Sequence, residues 1–259
     1  MIKAEILNSN NEVLLSKTGD SEVYLVYKAE YQEGDYISIT SDKAKLYEVK
    51  LDAALDVAPL YLNGSFTFPI PFNEKKDCYP QIAFSAPLNL ITVREVKEKA
   101  INNYKNLVFN PYDYHGNTAL FPHSYANVET RGESVFASRN AMDGNFASDL
   151  HGKWPYESWG INRNPDATMT VDLGRKVKID TIVFYTRADF PHDAWWTEAT
   201  ITFDNGVKKT FPLEKKDGAQ SFKIEEMEVS AFTISNLIKA DDPSPFPALI
   251  QIEAWGCEA

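Results

Sequence analysis

The side chains best suited to binding or transforming a small molecule crowd into the second half of this 259-residue chain. All five Trp (Trp154, Trp159, Trp195, Trp196, Trp255), all four His (His115, His123, His151, His192) and five of six Arg lie beyond residue 114. Two stretches concentrate them. Residues 151–163 carry Trp154, Trp159, Asn162 and Arg163; residues 187–196 carry Arg187, Asp189, His192, Asp193, Trp195 and Trp196. Aromatic faces cover apolar C–H patches, while guanidinium, imidazole, amide and carboxylate groups hydrogen-bond hydroxyls. That combination suits a sugar.

Each residue also has a plainer use. Trp154 and Trp159 equally suit the closed end of a β-sandwich, because Trp is strongly buried on average. In the pair Trp195-Trp196, strand alternation sends the rings to opposite faces, one to the core and one outward. His192-Asp193 could simply tie down its loop, and Arg163 and Arg187 could pair with Asp189 or Asp193. Taken together, the two stretches hold more polar and aromatic groups than a sandwich end requires.

Catalysis is a second possibility. Arg187, Asp189, His192 and Asp193, or Glu157 with Asp189, supply the residue types for acid–base work on a glycoside. No spacing signature selects them: nucleophile elbow, HExxH, phosphate-cradling Gly loop and Cys–His pairing are all missing from the sequence. Net charge is −11, from 37 acidic against 26 basic residues. That balance argues against nucleic acid, whose phosphates must be neutralised by Lys and Arg. No apolar run approaches the roughly 20 residues of a membrane span. Acidic neighbours around Trp195-Trp196 (Asp189, Asp193, Glu198) oppose docking to an anionic lipid surface. A protein partner, an adhesion role or self-association stays open. Cys78 and Cys257 are too sparse for a disulfide framework. The N-terminus shows no signal-peptide pattern, so a cytoplasmic setting is expected, although a secreted chain stripped of its leader would read the same.

The elements that position these groups read as strands. In the first part, segments 2–7, 12–16, 23–27, 36–40, 45–51, 60–62, 65–69, 81–85 and 88–93 are strand-like, with Asn63-Gly64 as a tight turn. Residues 94–104 have helical composition and read as a linker helix. In the second part, 168–173, 178–186, 197–203, 207–213, 221–224, 229–235 and 249–255 are strands, and Asp204-Asn205-Gly206 closes a hairpin. The expectation is an all-β chain of two tandem β-sandwich domains: an N-terminal sandwich over 1–94, a linker helix and connector over 95–124, and a second sandwich over 125–259.

Within that second part, the Ala141-Met142-Asp143-Gly144-Asn145 turn is followed by Val171-Asp172-Leu173-Gly174 after a strand and by Gln251-Ile252-Glu253-Ala254-Trp255-Gly256 on the last strand. In this order, over roughly residues 125–257, these motifs resemble the discoidin or F5/8 type C domain, a galactose-binding-like jelly roll found in many bacterial carbohydrate-binding modules. The resemblance implies a non-catalytic carbohydrate-binding protein whose ligand sits among loops at one end of the sandwich. It further implies a structural Ca²⁺ held by Asp143, the hydroxyl of Ser148, the carbonyls of Asn140 and Asn145, and Glu253, which suits a cation taking six to eight oxygens. Outside the resemblance, the stiff loop 239–247, with three Pro in five residues, is either a rigid crossover or another wall of the site.

Overall fold

The computed structural model describes residues 1–190 and 194–259. The architecture is all-β, as the strand pattern predicts. The first part contains β1 (Ile2–Leu7), β2 (Val13–Gly19), β3 (Glu22–Tyr27), β4 (Tyr36–Ser41), β5 (Lys45–Lys50), β6 (Ala58–Leu62), β7 (Ser65–Pro69) and β8 (Asn89–Glu95). They form two antiparallel sheets, one ordered β2-β1-β4-β7 and the other containing β6-β5-β8-β3. Alternate residues of facing strands (Ile2, Ala4, Ile6; Val23, Leu25; Ile37, Ile39) point into a shared core, as a two-residue period requires.

Two expectations change here. Residues 81–85 form turns rather than a strand. The helix expected over 94–104 shrinks to one turn, α1 (Glu98–Ile101). Its start is consumed by β8, which pairs Arg94 with Glu22 and Glu95 with Tyr47. Ladder hydrogen bonds on both sides of a strand outweigh a weak helical preference.

The connector is no loose tether. After β9 (Lys105–Asn106), the strand β10 (Leu120–Phe121) adds to the edge of β6. Tyr112, Ala119 and Leu120 are buried in the first core, and Tyr112 donates its hydroxyl to the Asp56 carbonyl at 2.6 Å. Val135 and Phe136, further along the chain, pack on the same core.

The remaining strands are β11 (His123–Ala126), β12 (Trp159–Gly160), β13 (Met169–Thr186), β14 (Trp196–Phe203), β15 (Lys208–Pro212), β16 (Gln220–Lys239) and β17 (Ala248–Glu258). They pair in the order β12-β17-β13-β16-β14-β15, with β11 on β13 and β9 on β17. Four segments expected as separate strands are here two long ones, β13 and β16. Their pairing slips between Asp172 and Val177 and between Ile179 and Thr181; such bulges bend a strand while keeping its ladder. Gly174 sits at the first slip with φ +65°, and a Cβ there would lie 2.3 Å from the Phe121 ring, so only Gly fits. The second core, including Trp159, Phe184, Trp196, Phe203 and Phe232, lies against this sheet.

Candidate functional site

Loop ends carry most of the chemistry. Residue Arg187, just past β13, is buried, and its Nε lies 2.7 Å from Asp189 Oδ1; its Nη2 donates to the Phe246 carbonyl. Burial lowers the Arg187 pKa, and the Asp189 charge offsets part of that. Asp189 Oδ2 pairs with Nδ1 of His151 at 2.6 Å. Two residue stretches read separately in the sequence are therefore joined by an Arg–Asp–His chain, its Arg and Asp buried and its His partly exposed. Of the pairings left open in the sequence, Arg187 with Asp189 is the one present, and His151, at the head of the first stretch, joins it.

Beside this chain lies a pocket of about 150 Å³. Its walls include His151, Asn162, Arg163, Arg187, Thr130 and Phe246. Arg163 stacks its guanidinium on the Phe246 ring, 4.4 Å from carbon to centroid. Asn162 and Arg163 hold left-handed backbone conformations (φ +50° and +60°). Asn162 donates its N–H to Thr130 Oγ1 at 3.0 Å. Phe246 and Pro247 come from the Pro-rich loop, so 239–247 supplies a wall. Phe190 is 88% exposed. Its position in the aromatic run 187–196 was the available signal for it. His192 and Asp193 lie outside the described residues.

The tryptophans divide. Trp159 and Trp196 are fully buried in the second core, and Trp159 donates its indole N–H to the Val128 carbonyl at 3.0 Å. Neither ring is available to a ligand, which corrects their assignment as binding residues: an indole buried on both faces contributes packing. Trp195 points outward, as alternation requires, with Lys215 Nζ 5.4 Å from its ring. Trp154 is exposed, and its backbone N–H donates to the Asp77 carbonyl of the first sandwich at 2.8 Å. Neither Trp154 nor Trp195 lines the pocket of Arg163.

The residues implied for a cation are only partly assembled. Asp143 is buried, and its Oδ1 accepts the Asn145 N–H at 3.0 Å. Its Oδ2 accepts no hydrogen bond and lies 3.7 Å from Arg139 Nη1. Ser148 gives its hydroxyl to Asp217, and Glu253 accepts the Trp255 indole N–H at 2.7 Å. Both are turned to other partners, which corrects their assignment as ligands. On β17 it is Gln251 that reaches the Asp-Gly turn, accepting the Gly144 N–H at 3.2 Å. The second carboxylate near Asp143 is Glu157, whose Oε1 accepts from Asn145 Nδ2 while its Oε2 has no partner. Asn140 is buried and donates its amide to the Ser134 carbonyl. Burial raises both carboxyl pKa values, and for Glu157 the neighbouring Asp143 charge adds to the effect. Among the described residues, no three His, Cys, Asp or Glu converge on one metal position.

No family model matches the chain, and no curated protein matches it. Among solved structures the chain is similar to carbohydrate-binding modules. One is chitosan-binding module 1 of a chitosanase/glucanase from Paenibacillus sp. IK-5, at 15% identity, covering 60% of this chain and 100% of that one, TM-score 0.42. A second is a fucose-binding module from Streptococcus pneumoniae, at 14% identity, covering 62% and 99%, TM-score 0.41. A third is the family 32 module of C. perfringens NanJ in complex with galactose, at 19% identity, covering 51% and 91%, TM-score 0.37. No helix among the described residues is long and apolar enough to cross a membrane.

Proposed function

We propose that this chain binds carbohydrate without transforming it, at the loop end of its second sandwich. The observation that carries this reading is the Arg163–Phe246 stack beside the Arg187–Asp189–His151 chain. Together they supply an aromatic surface and oriented polar groups around one small pocket. At about 150 Å³ the pocket is below the roughly 300–1,000 Å³ of sites for drug-sized ligands, a size for one sugar ring rather than a long chain. Asp189 is already engaged by a guanidinium and an imidazole, which favours holding groups in place over passing protons. The test is isothermal titration with monosaccharides selected on a glycan array. Arg163→Ala and Phe246→Ala are each expected to weaken binding by about tenfold, equivalent to ~1.4 kcal/mol. Unchanged affinity in both variants would overturn the assignment, and turnover of a labelled glycoside would overturn the non-catalytic reading.

A structural Ca²⁺ belongs to this proposal in altered form. Asp143 and Glu157 would hold it, with the carbonyls of Asn140 and Asn145. The support is the pair of buried carboxylate oxygens without hydrogen-bond partners, since such groups favour an added cation. The ion would stabilise the turn and take no part in choosing the ligand.

A further inference from the structure

A cavity of about 1000 Å³ lies away from the loop end. It lies where β7 and the turn after it meet the segment 132–139. Its floor is aromatic: Phe68 packs edge-on against Tyr79 and Tyr114, at 6.4 and 6.2 Å between ring centres. Phe72 and Tyr114 remain half-exposed along the wall. Arg139 is buried and holds its guanidinium 4.6 Å from the Tyr79 ring. Its Nη groups are committed to Asn140 Oδ1 and the Pro111 carbonyl, while its Nε has no partner.

The cleft is fixed in width by bonds across it. Ser134 donates its hydroxyl to the Glu74 carbonyl at 2.7 Å and its N–H to the Glu74 carboxylate. The fixed charges on the walls lean acidic: Glu33, Asp35 and Glu74 stand against Lys75 and Arg139, while His115 is tied to Glu129 at 2.7 Å. A wall of rings with polar groups between them suits a neutral, hydroxyl-rich, ring-bearing ligand. It suits an anion poorly, because three carboxylates would oppose it. The volume accommodates several rings at once, unlike the pocket of Arg163.

We propose that this cleft is a second binding site, for a neutral oligosaccharide, independent of the site at the loop end. Sugar rings would lie on Phe72 and Tyr114, with hydroxyls on the polar groups at the rim. The experiment is titration of the full chain with neutral oligosaccharides of two to five residues and with their sialylated counterparts, followed by calorimetry. Three variants are compared with the natural chain: Phe72→Ala, which removes a ring; Lys75→Trp, which fills the exposed rim without touching the core; and Arg163→Ala, at the other site. The expected result is that Phe72→Ala and Lys75→Trp each weaken neutral oligosaccharide binding by about tenfold, while Arg163→Ala leaves that event intact. Unaltered melting curves establish that the cleft variants are folded, and Lys75→Trp decides the matter if Phe72→Ala is not. Loss of all binding in Arg163→Ala with both cleft variants unchanged would overturn this proposal and keep the loop-end reading. Loss only in the cleft variants is the expected result; the loop-end reading is decided separately, by monosaccharide titration of Arg163→Ala. Preference for the sialylated ligands, or no oligosaccharide binding at all, would overturn it too.

Discussion

Glu157→Gln offers the sharpest perturbation of the buried polar cluster. Glu157 is 1% exposed, with Oε1 held by Asn145 and Oε2 unpartnered beside Asp143. Burial first, and the Asp143 charge second, hold its folded pKa above its ordinary value near 4.5. In metal-free protein the unfolded chain therefore loses this proton at lower pH than the folded chain does. For a carboxyl shifted upward, folded stability is greatest below the unfolded pKa and declines as pH rises toward the folded pKa. One such proton gives a slope of about 1.4 kcal/mol per pH unit. From pH 6 to 8 the loss approaches ~3 kcal/mol, or about 6–12 °C in Tm for a chain of this size. Glutamine keeps an acceptor for Asn145 and can donate to the idle Asp143 oxygen, so the slope should flatten. The assay is thermal melting across pH in EDTA, repeated with calcium chloride. Natural chain should recover stability with calcium at pH 8, and Glu157→Gln should be higher in EDTA yet gain little from calcium. A variant with the natural pH slope, or a lower Tm at pH 8 in EDTA, would refute the reasoning.

Other outcomes follow from the same geometry. Trp196→Ala empties a fully buried site and should cost about 3–5 kcal/mol in denaturant unfolding, whereas Trp195→Ala, on the outward face, should cost less than about 1 kcal/mol. Asp113 is buried and accepts from Asn117, His123 and both the N–H and hydroxyl of Ser124; Asp113→Ala should cost about 3–5 kcal/mol by the same measurement. His123 should titrate above 6.5 by NMR: burial lowers its pKa, and the Asp113 bond and charge overcome that. Its stabilisation is present below 6.5 and lost as pH rises through the folded value, and Asp113→Asn should bring that value down.

The strand positions were largely legible because alternation and turn chemistry are local. Asp204-Asn205-Gly206 does close the hairpin of β14 and β15, with Gly206 at positive φ, whereas Asn63-Gly64 carries the chain from one sheet to the other; alternation put one of Trp195 and Trp196 inside, and the structure shows that it is Trp196. What local patterns miss is long-range choice. Residues 94 and 95 look helical but are claimed by two neighbouring strands. Trp159 looks like a ligand platform, yet a carbonyl 31 residues earlier fixes its indole in the core. On β17, Gln251 and Glu253 share a face, and only the register decides that Gln251 meets the Asp-Gly turn. The sequence left Arg187 open to Asp189 or Asp193; the structure pairs it with Asp189, and His151 joins from 38 residues away. The cleft beside Phe68 is assembled from segments about 60 residues apart, so no motif announces it.

The most direct test of carbohydrate binding at the loop end is calorimetric titration of a monosaccharide into the natural chain and into Arg163→Ala. The account predicts saturable, one-site binding that weakens by about tenfold in the variant while its melting curve stays the same. Equal affinity in both proteins, or no saturable binding in the natural chain, would contradict it.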